Sequence, residues 1–157
     1  MKPVCLVIGA GAGIGGNVGK RFAREGYHAF LARRTDEEGL KRIVGEIEAE
    51  GGTGEGRLLN AVEDNSIEAM VRHIEDNVGP IEVAVYNLGA QIGNRSLPNT
   101  SLKAFEMGWR LASFGLFRLA QAVVPHMEAR GQGSILVTSA TAAVRGNAGQ
   151  HSHCLLY

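Results

Sequence analysis

Residues 4–16 read VCLVIGAGAGIGG, an apolar run closed by a cluster of glycines, and the fold of the whole chain turns on that junction. Val4 to Gly9 is continuously apolar, the pattern of a short strand buried on both faces. Beyond the glycines, Ile14, Val18 and Phe22 recur every four residues. That spacing is the apolar stripe of a helix with Ile14 as its anchor, and Gly26 stands where a C-terminal cap belongs. A strand that turns through glycines into a helix is suited to a pyrophosphate. The missing side chains let the backbone come close, and the helix start supplies free N–H groups and a positive dipole end. Three registers compete in IGAGAGIGG. G-x-G-x-x-G begun at Gly9 fails, because Ile14 falls on the third glycine. Begun at Gly11 it is satisfied by Gly13 and Gly16, but its first glycine lies two residues past the strand. G-x-x-x-G-x-G, with Gly9, Gly13 and Gly15, starts at the strand end and keeps Ile14 as the helix anchor.

Outward from this unit, strand-like and helix-like segments alternate. Residues 27–32, YHAFLA, form a second apolar run, and Thr35 opens an acidic turn through Asp36, Glu37 and Glu38 that suits a helix start. Leu40, Ile43, Val44 and Ile47 form the inward stripe of that helix, which ends at Gly51-Gly52. GRLLNAV (56–62) reads as a third strand, and Asn65-x-x-Glu68 has the spacing of a capping box before the stripe of Ile67, Met70, Val71 and Ile74. IEVAVYNLG (81–89) is a fourth strand. Thr100-Ser101 can cap one long helix reaching about Arg130, and SILVTS (134–139) is a fifth strand. Five short apolar strands separated by helices predict an α/β fold, a doubly wound parallel sheet of Rossmann-like type, incomplete at its carboxyl side. The domain is read as residues 1–149, with 150–157 a divergent tail.

Composition narrows the class of partner. Lys plus Arg equals Asp plus Glu at 16 each, so no charge footprint points to nucleic acid or an anionic membrane. The apolar start is interrupted by glycine after about six residues, short for a secretory h-region, and nothing approaches the roughly 18 apolar residues of a membrane span. Of the two cysteines, Cys5 lies in the first strand and reads as a core thiol in a reducing compartment, so a cytoplasmic protein is expected.

The second strand ends Ala32-Arg33-Arg34, where an acid would bind the adenosine ribose and repel a 2′-phosphate. Two adjacent guanidiniums can fork onto a phosphate, and cations are disfavoured at the positive end of the helix that follows. An anionic partner accounts for them, and NADP(H) is favoured over NAD(H).

At this point the sequence resembles the short-chain dehydrogenase/reductase family, from Val4 to about Gly149. IGAGAGIG (8–15) is similar to the family's T-G-x-x-x-G-I-G turn, with Ile8 in place of the hydroxyl residue that ties the turn to the fourth strand. Tyr86-Asn87-Leu88-Gly89 partly matches N-N-A-G. The resemblance implies a carbonyl or alcohol oxidoreductase. It places Asn60 and Ala61 against the adenine, where the family has Asp, and Asn87 and Gly89 along the adenosine and ribose. It makes Ser139 the serine that holds the carbonyl oxygen, with Thr138 or Thr141 as alternatives.

The family's helical asparagine falls on Ala112, beside Ser113. Its Tyr-x-x-x-Lys proton donor, due at Ser152 or His153, is absent, and Tyr157 has no lysine after it. The expectation is therefore a chain truncated before that element, with little or no activity of its own. A non-catalytic nucleotide-binding or oligomer-modulating module, or a non-functional truncated product, is the alternative. A homo-oligomer or a full-length paralogue is the protein partner considered. His151, His153 and Cys154 lack a fourth ligand with zinc-like spacing, so no metal is expected.

Overall fold

The computed structural model describes residues 1–89 and 96–145. Five parallel strands lie in the order β3-β2-β1-β4-β5, namely β1 Val4–Ile8, β2 His28–Arg33, β3 Thr53–Leu58, β4 Ile81–Tyr86 and β5 Ser134–Val137. Each crossover runs through helix: α1 Ile14–Arg24, α2 Glu37–Ala49, α3 Ser66–Asn77, and then α4 Leu102–Trp109 with α5 Gly115–Arg130. The doubly wound parallel sheet predicted from the alternation is the fold observed.

Alternation along the central strand divides the core. Val4, Leu6 and Ile8 face the layer made by α3 and α5, among Ile67, Ile74, Leu119 and Val123. Cys5 and Val7 face the α1–α2 layer, among Leu40, Ile43 and Ile47. Successive side chains of a strand point to opposite faces, so one five-residue strand buried throughout anchors both layers. β1 lies between β2 and β4, and the chain reverses direction across the sheet beside it, which puts a crevice above its carboxyl end.

Four local readings change. Ile14 is not a buried anchor: it is 61% exposed at the start of α1. The helix instead buries Gly15, Gly16, Gly19 and Ala23, while Val18 and Phe22 pack at the margin. Close approach drives this, since a Cβ on Gly19 would lie 2.5 Å from Leu31 Cδ2. The third strand begins at Thr53, earlier than the apolar run suggests, so Asn60 and Ala61 lie beyond its end. It is an edge strand of mixed burial, and its Gly54 and Gly56 have no room for side chains against Ala29 and Leu40. Asp36, rather than Thr35, caps α2, accepting from the Gly39 amide at 2.9 Å. Asn65 starts α3 without a side-chain cap bond, and Glu68 is engaged elsewhere.

The single long helix is also divided: Ser101 caps α4 through the Ala104 amide, and a π-helical turn over Arg110–Phe114 joins it to α5. Among the described residues no helix is long and apolar enough to cross a membrane.

Candidate functional site

Chemistry gathers at the carboxyl ends of β1, β2, β3 and β4. Gly9 leaves β1 with φ +96, a conformation that disfavours any side chain, and a Cβ there would lie 2.6 Å from the Asn87 carbonyl oxygen. Gly15 is equally constrained, between the Gly9 carbonyl and the Asn87 amide nitrogen. Asn87 donates from Nδ2 to the Gly9 carbonyl at 2.9 Å. The side-chain tie between turn and fourth strand, which Ile8 has no hydroxyl to make, is thus made from the Asn87 side.

Gly13 differs, because a Cβ there, as at Gly11, would meet no atom within 4 Å. Packing within the chain does not demand glycine at these two positions. Together with a helix N-terminus that has no side-chain cap and no acid in its first turn, they leave a bare cradle of backbone. A pyrophosphate fits that cradle on both shape and charge.

Beside it lies a cavity of about 240 Å³ lined by Gly9, Arg33, Arg34, Asn60, Ala61 and Gly89, with Leu88 and Leu111. Six residues singled out in the sequence therefore meet in one space, and Gly13, Gly15 and Asn87 belong to the adjoining turn. Asn60 donates from Nδ2 to Glu63 Oε1 at 2.9 Å, which orients its amide. Its Oδ1 is buried and has no partner among the described residues. A buried acceptor without a donor is costly, and the exocyclic amine of an adenine is a donor of the required kind. The residues present fit an adenine dinucleotide.

The two arginines are not equivalent. Half-buried Arg33 pairs with Asp36 Oδ2 at 2.9 Å, and Asp36 spends its other oxygen on the α2 cap. Arg34 is exposed and makes no ion pair among the described residues.

A second cavity, about 530 Å³, shares the Leu88 wall and is lined by Tyr86, Ala112, Ser113, Phe117, Val137 and Ser139. The strand-end serine and the serine of the π turn thus face one space, while Ala112 is buried and brings no polar group. Thr138 continues the sheet by donating its amide to the Tyr86 carbonyl at 3.0 Å, and Thr141 begins a 3₁₀ turn. Among the described residues no cluster of His, Cys, Asp and Glu could hold a metal ion. His151, His153, Cys154 and Tyr157 lie outside the described residues.

Two features escape sequence reasoning. Tyr86, 1% exposed, donates its hydroxyl to the Leu111 carbonyl within the π turn. Gly115 follows because its Cβ would collide with that hydroxyl. Arg118, in the apolar run LFRLA, is the buried charged residue of the described core and forms a bidentate pair with Glu68. A charge interrupting a buried helix stripe is the signal available for it, and its partner 50 residues away is not.

An open parallel sheet with an uncapped glycine turn and a cavity at its switch point defines an α/β protein of Rossmann-like type. The chain belongs to the short chain dehydrogenase family, whose profile it matches over residues 3–154. This is a family of nicotinamide-dependent oxidoreductases. The chain is 30% identical over 150 residues to 3-oxoacyl-[acyl-carrier-protein] reductase FabG of Thermotoga maritima, covering 96% of this chain and 60% of that one. A 7α-hydroxysteroid dehydrogenase complexed with NADH and 7-oxo glycochenodeoxycholic acid superposes with a TM-score of 0.90 at 25% identity. A variant of the actinorhodin polyketide ketoreductase with NADPH does so with 0.89 at 27%. Each alignment covers 98% of this chain and 59% of the other. The chain thus spans about 60% of the length of these relatives.

Proposed function

We propose that these 157 residues are the NADP(H)-binding part of a short-chain oxidoreductase that interconverts a carbonyl and an alcohol in its full-length form. The observation that carries this reading is the 240 Å³ cavity, where Gly9, Asn60, Ala61 and Gly89 meet two arginines and no acid is among the described lining residues. Gly13 and Gly15 would seat the pyrophosphate against α1, Asn60 and Ala61 the adenine, and Asn87 and Gly89 the adenosine ribose. Arg34 is the principal ligand for a 2′-phosphate and Arg33 its support, because Asp36 already draws on the Arg33 charge. Relatives with NADH and with NADPH are both similar to this chain, so the preference rests on these arginines.

When bound, the nicotinamide supplies or accepts a hydride. Ser139 would hold the reacting oxygen, and Ser113 lies on the same cavity wall. No Tyr-x-x-x-Lys occurs in the 157 residues, so this polypeptide alone turns over little or no substrate. Ala112 in place of the family's asparagine favours a second reading, a nucleotide-binding or oligomer-modulating module without chemistry. A cytoplasmic setting suits the free, buried Cys5.

NADPH should raise the melting temperature more than NADH. Arg34→Ala should weaken NADPH about tenfold or more, the weight of a charge-assisted hydrogen bond, and leave NADH nearly unchanged. Equal shifts for the two cofactors, or none, sink the NADP(H) assignment. No NADPH oxidation above background is expected across a panel of carbonyl compounds. Robust turnover that disappears in Ser139→Ala overturns the low-activity part.

A further inference from the structure

Arg118 stands on α5, far in sequence from the nucleotide cavity, and is 7% exposed. Burying a guanidinium is expensive, and an aliphatic chain of similar volume usually packs as well or better. What an aliphatic chain cannot supply is a fan of donors. Arg118 uses three: Nε donates to Glu68 Oε1 at 2.7 Å and Nη2 to Glu68 Oε2 at 2.6 Å, while Nη1 donates to the Ala61 carbonyl at 3.0 Å. The paired carboxylate on α3 fixes the plane of the guanidinium, and an Nη1 N–H is thereby aimed at one backbone oxygen.

That oxygen belongs to the cavity wall. Asn60 and Ala61 lie between the end of β3 and the start of α3 and line the 240 Å³ space. The Asn60 carbonyl is held by near neighbours, Ser66 Oγ at 2.8 Å and the Glu63 amide at 3.1 Å. The Ala61 carbonyl is held across 57 residues by Arg118. Two consecutive peptide groups of the wall are thus clamped, one by the loop itself and one by α5.

We propose that Arg118 is a positioning residue for the adenine wall: oriented by Glu68, it fixes the Ala61 peptide and so sets how tightly and how selectively the cavity holds an adenine. This rests on the reading of the cavity as the adenosine site. A purely structural Arg118 would contribute to stability alone. A positioning Arg118 also contributes to discrimination between purines that differ at the exocyclic amine, because the wall must be in register to read it.

The test measures binding of NADPH and of its hypoxanthine analogue, which lacks that amine, to the wild-type chain and to Arg118→Met and Arg118→Lys, well below each melting temperature. The wild type should prefer NADPH about fivefold, the weight of one hydrogen bond. In Arg118→Met the preference should fall to about one, with NADPH weakened about five- to tenfold. Arg118→Lys, which keeps charge but not the three-way fork, should behave like Arg118→Met. Should Arg118→Met fail to fold, Arg118→Lys and Glu68→Gln carry the test. Unfolding at lower temperature with wild-type affinity and wild-type purine preference overturns the proposal. Failure of the wild type to bind NADPH overturns the cofactor reading and this proposal with it. Tight wild-type binding without any purine preference removes only the proposal.

Discussion

A hydroxyl, a carbonyl and a missing methyl explain why Tyr86 and Gly115 occur together. The π turn departs from the regular i→i+4 ladder, and the Leu111 carbonyl within it accepts from Tyr86. Gly115 leaves the volume that the tyrosine hydroxyl occupies. Gly115→Ala should therefore cost about 1–3 kcal/mol by overpacking, and Tyr86→Phe about 1–2 kcal/mol by leaving a buried acceptor unmet. The combination should cost less than the sum, because removing the hydroxyl removes the collision. Urea denaturation of the two single variants and the double variant measures the coupling, and strict additivity would refute this account. None of this is legible in the sequence. The motif match sees a tyrosine where an asparagine is customary, and the compensating glycine lies 29 positions later. By contrast Gly9, Arg33, Arg34, Asn60, Ala61 and Gly89 are found from spacing and resemblance, since all stand at strand ends that the fold brings together.

Elements were legible where burial is one-sided or complete, and elusive at edges. β1 announces itself through unbroken apolar residues, whereas β3 hides behind Gly54 and Gly56, whose role is to make room for neighbours. The pairing of α3 with α5 is likewise invisible to local rules: Glu68 matches a capping-box position, but its carboxylate crosses to Arg118. The Arg118 hydrogen bonds hold the Glu68 carboxyl below the usual carboxylate range, against the upward push of burial. A carboxyl depressed in the folded state stabilises fully above its unfolded value, roughly 4.3, and progressively less as pH falls through the folded value. Wild type should thus exceed Glu68→Gln in urea midpoint at pH 7, and the two should converge as pH falls below about 4. Midpoints that run parallel from pH 7 to 3 would show that the pair contributes no pH-dependent stability.

For the molecule as a whole, β1 is both the centre of the core and the stem of the glycine turn, so the nucleotide binding proposed for that turn would share one strand with global stability. Cys5 sits inside it, fully buried between Ala29 and Val83, and burial pushes its thiol up to about 12. The folded protein therefore offers alkylating reagents neither access nor thiolate, and Cys5 reacts through states in which β1 is opened. Replacing Cys154 by Ser leaves Cys5 as the sole cysteine. A ligand that binds the folded chain and not the opened one slows that reaction by the factor 1 + [L]/Kd when reclosing is fast. At NADPH tenfold above its Kd, iodoacetamide labelling of Cys5 in Cys154→Ser should slow about elevenfold, and the same concentration of NADH should slow it less. Arg34→Ala should bring the NADPH effect down toward the NADH one. Labelling that ignores NADPH, in a chain whose melting temperature NADPH nevertheless raises, would mean that β1 opens without the nucleotide site being lost. The link from core strand to glycine turn would then be broken.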